Sequence, residues 1–439
     1  MQQRAVKIGV VGLLLACGLS AQDLSGNWQG TLKSGSKDLR AVIEIAKLES
    51  GGWKAVVHTD QTTEVLAADS VTLEGSHVKV VIDPVDSAWE GTISADGASI
   101  TGTWKGSDPG FLGTQGQPQP LELRRATKET AWQIDPTNHK IQFIDVDKNV
   151  RLEVLDWGGS GRTLLLAAGS GNTAHTFDKM APKLAANYHV YGITRRGFGA
   201  SSAPEPTAAN YMADRLGDDV IAIMDALKLN KPVLIGHSMG GEELSSVASR
   251  FPEKIAGLIY LDAAYHYAYY DKTHGDLIID RNEVRRKLAQ LEPGMQPQLP
   301  GGLIHELLET DLPALEKDLR EDEKKIEGTP AMSAQPLSRA LSRSMAIGFA
   351  MQDGMQKYMK IPVPALAIYA IPHNRGIRDP VAREKADAED MEISGVPAKA
   401  FEAGVPSRVV LLPHASHFVF LSNEADVLRE INSFLSTLP

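Results

Sequence analysis

One cysteine in 439 residues sets the first limit on this chain. Cys17 has no second thiol to pair with, so no disulfide can close within the polypeptide and its stability must come from its cores. Basic residues are in deficit: 45 Lys and Arg against 55 Asp and Glu give a formal net charge of −10. That balance argues against a nucleic-acid binder, because phosphate contacts need a basic face. No block of like charges suggests a charged tail. The apolar stretch Ile8–Leu19 is too short to span a bilayer, which takes about 20 residues. One absence is local. The segment ALAIYAIPHNRG, 365–376, runs from an apolar strand into a loop with no carboxylate before Asp379.

The N-terminus carries a targeting pattern. Arg4 and Lys7 precede the apolar stretch, and Leu19-Ser20-Ala21 offers small residues before a cut at Gln22. That predicts a secretory signal over 1–21 and an exported protein, periplasmic or extracellular. Its removal takes away Arg4 and Lys7 and no acid, which leaves a net charge of −12. Leu14-Leu15-Ala16-Cys17 loosely resembles a bacterial lipoprotein signal, which would leave Cys17 as a lipid anchor. The plainer expectation is an apolar Cys lost with the leader. No transmembrane span is expected in the mature chain.

Residues 22–127 read as an all-β domain. Segments such as LRAVIEIAKL, GWKAVVHTD, HVKVVID and SITGTWKG are rich in β-branched and aromatic residues and punctuated by Gly, Asp and Ser. Trp28-Gln29-Gly30-Thr31 recurs as Trp89-Glu90-Gly91-Thr92. Around eight strands predict a small antiparallel barrel or sandwich, with the tryptophans in its core. Gly26-Asn27-Trp28 faintly resembles the opening of lipocalin-like barrels. No group of His, Asp or Glu here has metal-ligand spacing. Residues 128–140, polar and without periodicity, read as a linker.

From residue 141 strands and helices alternate, which predicts a mostly parallel sheet covered on both faces. IQFIDV and VRLEVLDWG form a hairpin, and TLLLAA, PVLIG, AGLIYLD, PALAIYA and RVVLLP are buried strands. A helix is expected near 175–186. The alternation lapses over about 265–360, where a charged, helical stretch reads as a cap.

The chemistry is carried by LIGHSMGG, 234–241. Gly236-His237-Ser238-Met239-Gly240 has the Gly-x-Ser-x-Gly pattern between a strand and a helix, where a strained turn lifts a serine hydroxyl clear of the sheet. A serine needs a base to act as a nucleophile. His417, in the loop between the last strand and the last helix, is the candidate, and His414 is read as structural.

Residues 141–439 resemble the α/β-hydrolase fold with a helical cap. The resemblance rests on ITRRGFGASSAP, LIGHSMGG, GLIYLDAA and ASHFVFLSNEADV. It implies an eight-stranded sheet, a lid, a serine–histidine–acid triad and an oxyanion hole, whose backbone N–H donors would by position be those of Ser170 and Met239. No cofactor and no metal are expected. Two departures stand out. The His-Gly that usually follows the third strand is Ala168-Gly169 here. The loop that usually supplies the acid reads Ile371-Pro372-His373-Asn374. Asp379 precedes Pro380 and reads as a helix cap. Asp262, at the tip of GLIYLD, is the favoured candidate acid, with Asp379 or no acid at all as the alternatives, and Asn374 is a weaker way to hold the imidazole. The expected function is a secreted serine hydrolase acting on a small-molecule ester, or less readily an amide. Dehalogenases and epoxide hydrolases of this fold use an Asp nucleophile, which Ser238 disfavours. The alternatives are an aminopeptidase-like enzyme, with lid acids such as Glu306 and Glu309 taking a substrate amine, and a binding protein on a retired hydrolase scaffold.

Overall fold

The computed structural model describes residues 23–34, 37–48, 51–59, 65–82, 87–106, 118–127, 129–131, 139–291, 301–326, 343–377 and 379–439. The leader with Cys17, most of the linker (132–138) and the 327–342 part of the cap lie outside these residues.

The N-terminal strands are β1 (Gly26–Ser34), β2 (Lys37–Lys47), β3 (Trp53–Thr59), β4 (Val65–Ala67), β5 (Ser70–Glu74), β6 (His77–Ile82), β7 (Ser87–Ile93), β8 (Ser99–Gly106) and β9 (Gln119–Arg125). They form one antiparallel sheet in the order β4-β3-β2-β1-β9-β8-β7-β6-β5. The two edge strands follow each other in sequence. Between them the Ala68 N–H donates to Ala55 of β3 and the Asp69 N–H donates to Val81 of β6, so the chain passes from one end of the sheet to the other and the sheet is nearly a barrel. Trp28, Trp89 and Trp104 are wholly buried in its core. The indole N–H groups of Trp28 and Trp89 donate to the carbonyls of Leu24 and Leu121, which removes the cost of burying them. Strand β9 is hard to read from sequence because Pro120, Glu122 and Arg124 dilute it. Only Leu121 and Leu123 face the core.

The second sheet contains β10 (Lys140–Asp147), β11 (Val150–Gly158), β12 (Thr163–Ala167), β13 (His189–Ile193), β14 (Val233–His237), β15 (Gly257–Leu261), β16 (Ala365–Tyr369) and β17 (Ser407–Leu411). Its order is β10-β11-β13-β12-β14-β15-β16-β17. The β10–β11 hairpin turns at Asn149, whose φ is +61°, and pairs antiparallel with β13. All later pairs are parallel. Strands β14, β15 and β16 are buried at every position, as expected for a sheet covered on both faces.

The helix expected near 175–186 is two short pieces, Ala174–Phe177 and Ala181–Ala185. Pro182 lies in the first turn of the second, where its missing N–H costs nothing, and it cannot continue a helix from the first. The described cap consists of Leu277–Ala289, Gly301–Glu306, a wide turn at Leu307–Asp311, Leu312–Ile326 and Arg343–Gly354. Met351 of the last helix packs with Phe198, Tyr211 and Ile347 in a small core that Met239 also touches. The cap is thus seated next to the turn that carries Ser238. No helix among the described residues is long and apolar enough to cross a membrane.

Candidate active site

Three strand ends build the site. Ser238 follows β14, the central parallel strand, and its φ is +49°. A non-glycine residue held there costs about 1–3 kcal/mol and persists only where its surroundings fix it. Here the Ser238 N–H donates to Leu261 O at 3.3 Å, and helix Gly240–Arg250 begins two residues later. A Cβ on Gly240 would lie 2.6 Å from Ala167 O, so only glycine lets that helix start so close to β12. Tyr267 belongs to the core against which Met239 packs, and burial pushes its hydroxyl to a far higher pKa than usual.

Asp262 follows β15, fully buried and also at φ +49°. Its carboxylate collects four hydrogen bonds. Oδ1 accepts from the Tyr265 hydroxyl at 2.6 Å and from the Ala370 N–H at 2.9 Å. Oδ2 lies 2.6 Å from His417 Nδ1 and 2.8 Å from His373 Nε2. Burial alone would raise the Asp262 pKa, but the bonds from His373 and His417 outweigh it and hold the carboxyl well below its ordinary value. His373 shows the converse. Burial opposes its charge, yet Asp262 on one ring nitrogen and Asp390, 2.8 Å from the other, push its pKa up to about 9. With Nδ1 of His417 engaged by Asp262, its Nε2 is the atom left for Ser238 or a substrate.

His237, the variable residue of the elbow motif, is buried beneath His417. Its Nε2 lies 3.1 Å from His417 O, a contact that requires Nε2 to carry the proton. The His237 and His417 rings are 4.6 Å apart, and Phe418 and Phe420 flank His237. Burial depresses its pKa to about 3, so it is a neutral support for the His417 backbone.

On the other side of Ser238 runs the loop after β12. A Cβ at Gly169 would sit 3.0 Å from the Ser238 Cβ and from His237 Nδ1, so any larger residue would crowd the serine where the loop passes it. Behind it, buried Arg195 donates to Ala168 O at 2.8 Å and Gly169 O at 3.2 Å and pairs with Glu243. In a trans peptide the C=O and the following N–H point opposite ways. The Gly169 carbonyl faces Arg195, so the Ser170 N–H faces away from it. Met239 leads into the helix, in the turn whose first N–H groups lack intrahelical acceptors.

The other sequence candidates lie elsewhere. Asp379 caps helix Pro380–Ile393, accepting from Ala382 N at 2.8 Å. The Asn374 side chain accepts from Gly376 N and closes its own turn. His414 points outward near Asp387. Glu306 is 2.9 Å from Lys287, and with Glu309 it lines a cavity of about 680 Å³ whose walls include Asp311 and Lys357 but neither Ser238 nor His417. Sequence reasoning missed the roles of His237, Tyr265, Arg195 and Asp390, and saw His373 only as the residue standing where an acid was expected. It also missed Glu242, wholly buried in the helix after Ser238, where burial pushes the carboxyl well above its usual pKa. Asp262, His373 and His417 bring their donor atoms within 4.8 Å of one another, close enough to hold a cation.

The chain is similar over part or most of its matched length to several known proteins. The fluoroacetate dehalogenase of a Burkholderia species is 33% identical over 117 residues, 26% of this chain and 38% of that one. The bifunctional epoxide hydrolase 2 of Sus scrofa is 28% identical over 132 residues, 30% of this chain and 23% of that one. The chain therefore spans well under half the length of these two relatives. The 2-(acetamidomethylene)succinate hydrolase of Mesorhizobium japonicum is 22% identical over 278 residues, 63% of this chain and 89% of that one. A solved bromoperoxidase from Bacillus anthracis aligns over 68% of this chain and all of its own with a TM-score of 0.44 and 19% identity. A model of the Alpha/beta hydrolase family matches residues 164–430, more than half of the sequence, and the chain belongs to that family.

Proposed function

We propose that this hydrolase is a serine enzyme that cleaves a small-molecule carboxylic ester, and an amide less readily, through an acyl-enzyme. The observations that support the reading are a strained Ser238 at the elbow and a His417 whose Nδ1 is held by the buried Asp262 carboxylate. The Ser238 hydroxyl attacks the carbonyl carbon as its proton passes to His417 Nε2. Asp262 fixes the tautomer and stabilises the imidazolium that forms. The oxyanion is met by the N–H groups of Met239 and Ser170, fixed donors of the kind that lower such barriers most. His417 returns the proton to the leaving alkoxide. Water then repeats the sequence on the acyl-serine and releases the acid.

The nucleophile separates this reading from two of the relatives. An Asp nucleophile serves dehalogenases and epoxide hydrolases of this fold, and a serine in that place supports attack on an acyl carbon. The aminopeptidase alternative loses support because Glu306 is engaged by Lys287. We also place the reaction outside the cytoplasm, on the strength of the leader pattern over 1–21. N-terminal sequencing of the exported protein, expected to begin at Gln22, tests that point.

The deciding experiment is labelling with a fluorophosphonate probe, alongside turnover of a panel of p-nitrophenyl esters and aminoacyl anilides. The parent should be labelled at one site and turn over esters. Ser238→Ala should lose the label and the activity while unfolding at nearly the same temperature. Activity of Ser238→Ala within tenfold of the parent would remove the serine from the mechanism.

A further inference from the structure

Away from Ser238, a second cluster of titratable side chains sits where the hydrolase sheet begins. His139, the residue before β10, packs its ring 5.1 Å from that of His175. His175 and Asp178 come from the short turn Ala174–Phe177 and the residue that ends it. His175 Nδ1 is 3.0 Å from Asp178 Oδ2, and His139 Nδ1 is 3.7 Å from Asp178 Oδ1. The three donor atoms lie within 4.8 Å of one another. The side chains of His139, His175 and Asp178 are only 6%, 18% and 12% exposed, so this is not a surface scatter of acids.

These distances suit a small cation. Four donors about 2.0–2.1 Å from a tetrahedral ion stand roughly 3.3 Å apart, and the two imidazoles stand 3.0 and 3.7 Å from the two oxygens of the one carboxylate, either side of that value. The donor set is also selective. Two imidazoles and one carboxylate suit a first-row divalent ion better than calcium or magnesium, which take oxygen ligands. Outer support is present, because the Trp157 indole N–H donates to Asp178 Oδ1 at 3.2 Å and so orients the carboxylate. Beside the cluster lies a cavity of about 350 Å³. Its walls include His139, His175 and Glu153 on one side and Glu44 and His58 of the N-terminal sheet on the other. His58 Nε2 is buried without a hydrogen bond among the described residues and lies 3.7 Å from Glu44 Oε2. A three-ligand site next to such a cavity keeps room for a fourth ligand, and Glu153 and Glu44 add negative charge around a dication.

We propose that His139, His175 and Asp178 bind one zinc ion, fastening the start of the hydrolase sheet to the turn at Ala174–Phe177. A hydrogen-bonded trio with no affinity for metal is the competing account, and binding measurements separate the two. The full mature chain, stripped with a chelator, is titrated with zinc chloride by calorimetry and by thermal unfolding, and with cobalt(II) by visible absorption. The parent should take up one zinc per chain with a rise in unfolding temperature. It should also give the intense bands of four- or five-coordinate cobalt. His139→Gln and His175→Gln should each weaken binding by about 100-fold or more, and Trp157→Phe by about tenfold. The chelated variants should unfold where the chelated parent does, so lost affinity is not lost fold. If a variant misfolds, the cobalt spectrum of the parent decides, since weak six-coordinate bands would overturn the site. Absence of saturable zinc binding, or binding undiminished in both histidine variants, would overturn it too. So would binding abolished by His417→Ala, which would put the ion on Asp262, His373 and His417 instead.

Discussion

Oδ2 of Asp262 lies 2.6 Å from Nδ1 of His417 although the two residues are 155 apart in sequence and follow strands, β15 and β17, that are not neighbours. Strand β16 runs between β15 and β17, and its end supplies the bridge. The Ala370 N–H holds Oδ1 of Asp262 from the tip of β16, and His373, three residues on, bonds Oδ2. The loop that lacks a carboxylate therefore still serves the site. It presents donors to an acid carried by the adjacent strand.

From this follows the first prediction. Asp262→Asn keeps the shape of the side chain and removes the charge that orients His417. We expect kcat to fall by about 10²–10⁴-fold with little change in KM, the pattern of lost transition-state stabilisation. Asp379→Asn should leave kcat within a few-fold and cost up to about 1 kcal/mol of stability through a weaker cap. Steady-state kinetics and thermal unfolding of both variants check this. Greater damage to turnover from Asp379→Asn would reverse the assignment.

The second prediction concerns pH. His373 titrates at about 9 in the folded protein, against an ordinary 6.5. A group whose folded pKa is raised adds stability that is complete below its unfolded pKa and disappears as pH climbs through its folded one. This part of the stability should therefore be intact below about 6.5 and decline between about 6.5 and 9. His373→Gln should flatten that decline. It should also move the acid limb of kcat/KM to higher pH, because one cation fewer would stand beside the carboxylate that His417 shares. A variant that loses only stability, with an unmoved pH–rate profile, would make His373 purely structural.

The mostly parallel character of the second sheet was legible because three signals coincide there: continuous apolar runs, a strand–turn–helix elbow and a hairpin turning within Asp147–Asn149. Ser238 and His417 were legible as chemistry-bearing residue types at strand ends. Asp262 was legible only by elimination, since periodicity says nothing about which strand tip leans across its neighbour. His237 could not be read, because a histidine inside a motif looks the same whether it faces solvent or supports another ring. Arg195 was hidden for a similar reason. Its partners are two backbone carbonyls and a glutamate 48 residues away, and no local pattern encodes them.

Arg195 supports the third prediction. Its guanidinium holds the carbonyls of Ala168 and Gly169, and so sets the direction of the Ser170 N–H. Losing an oxyanion donor outright costs about 10²–10³-fold in kcat. Arg195→Gln, which loosens the donor without deleting it, should cost about tenfold or more. It should also destabilise by roughly 3–5 kcal/mol, because Glu243 is left buried without its partner. Glu243→Gln is the control. It should lower stability yet keep kcat within a few-fold, since Arg195 can still reach both carbonyls. Equal kcat losses in the two variants would mean that activity merely tracks stability.

The last prediction addresses the two sheets. Leu24, Trp28, Trp89, Trp104 and Leu123 belong to a core drawn wholly from the N-terminal sheet, whereas the two large cores of the hydrolase sheet begin at Ile144 and Leu155 and include nothing before them. Among the described residues neither core draws on the other domain, so burial gives each its own reason to fold. A chain cut at residue 129 keeps His139 and all of sheet β10–β17. It should be soluble, unfold cooperatively and hydrolyse a small soluble ester with kcat within a few-fold of the full protein. Residues 23–126 expressed alone should show a cooperative all-β transition reported by the buried tryptophans. If the shorter hydrolase segment is soluble and cooperatively folded yet inactive, the N-terminal sheet contributes to the active site. If it is insoluble, the two cores depend on each other despite their separation, and the boundary at 128–140 is wrong.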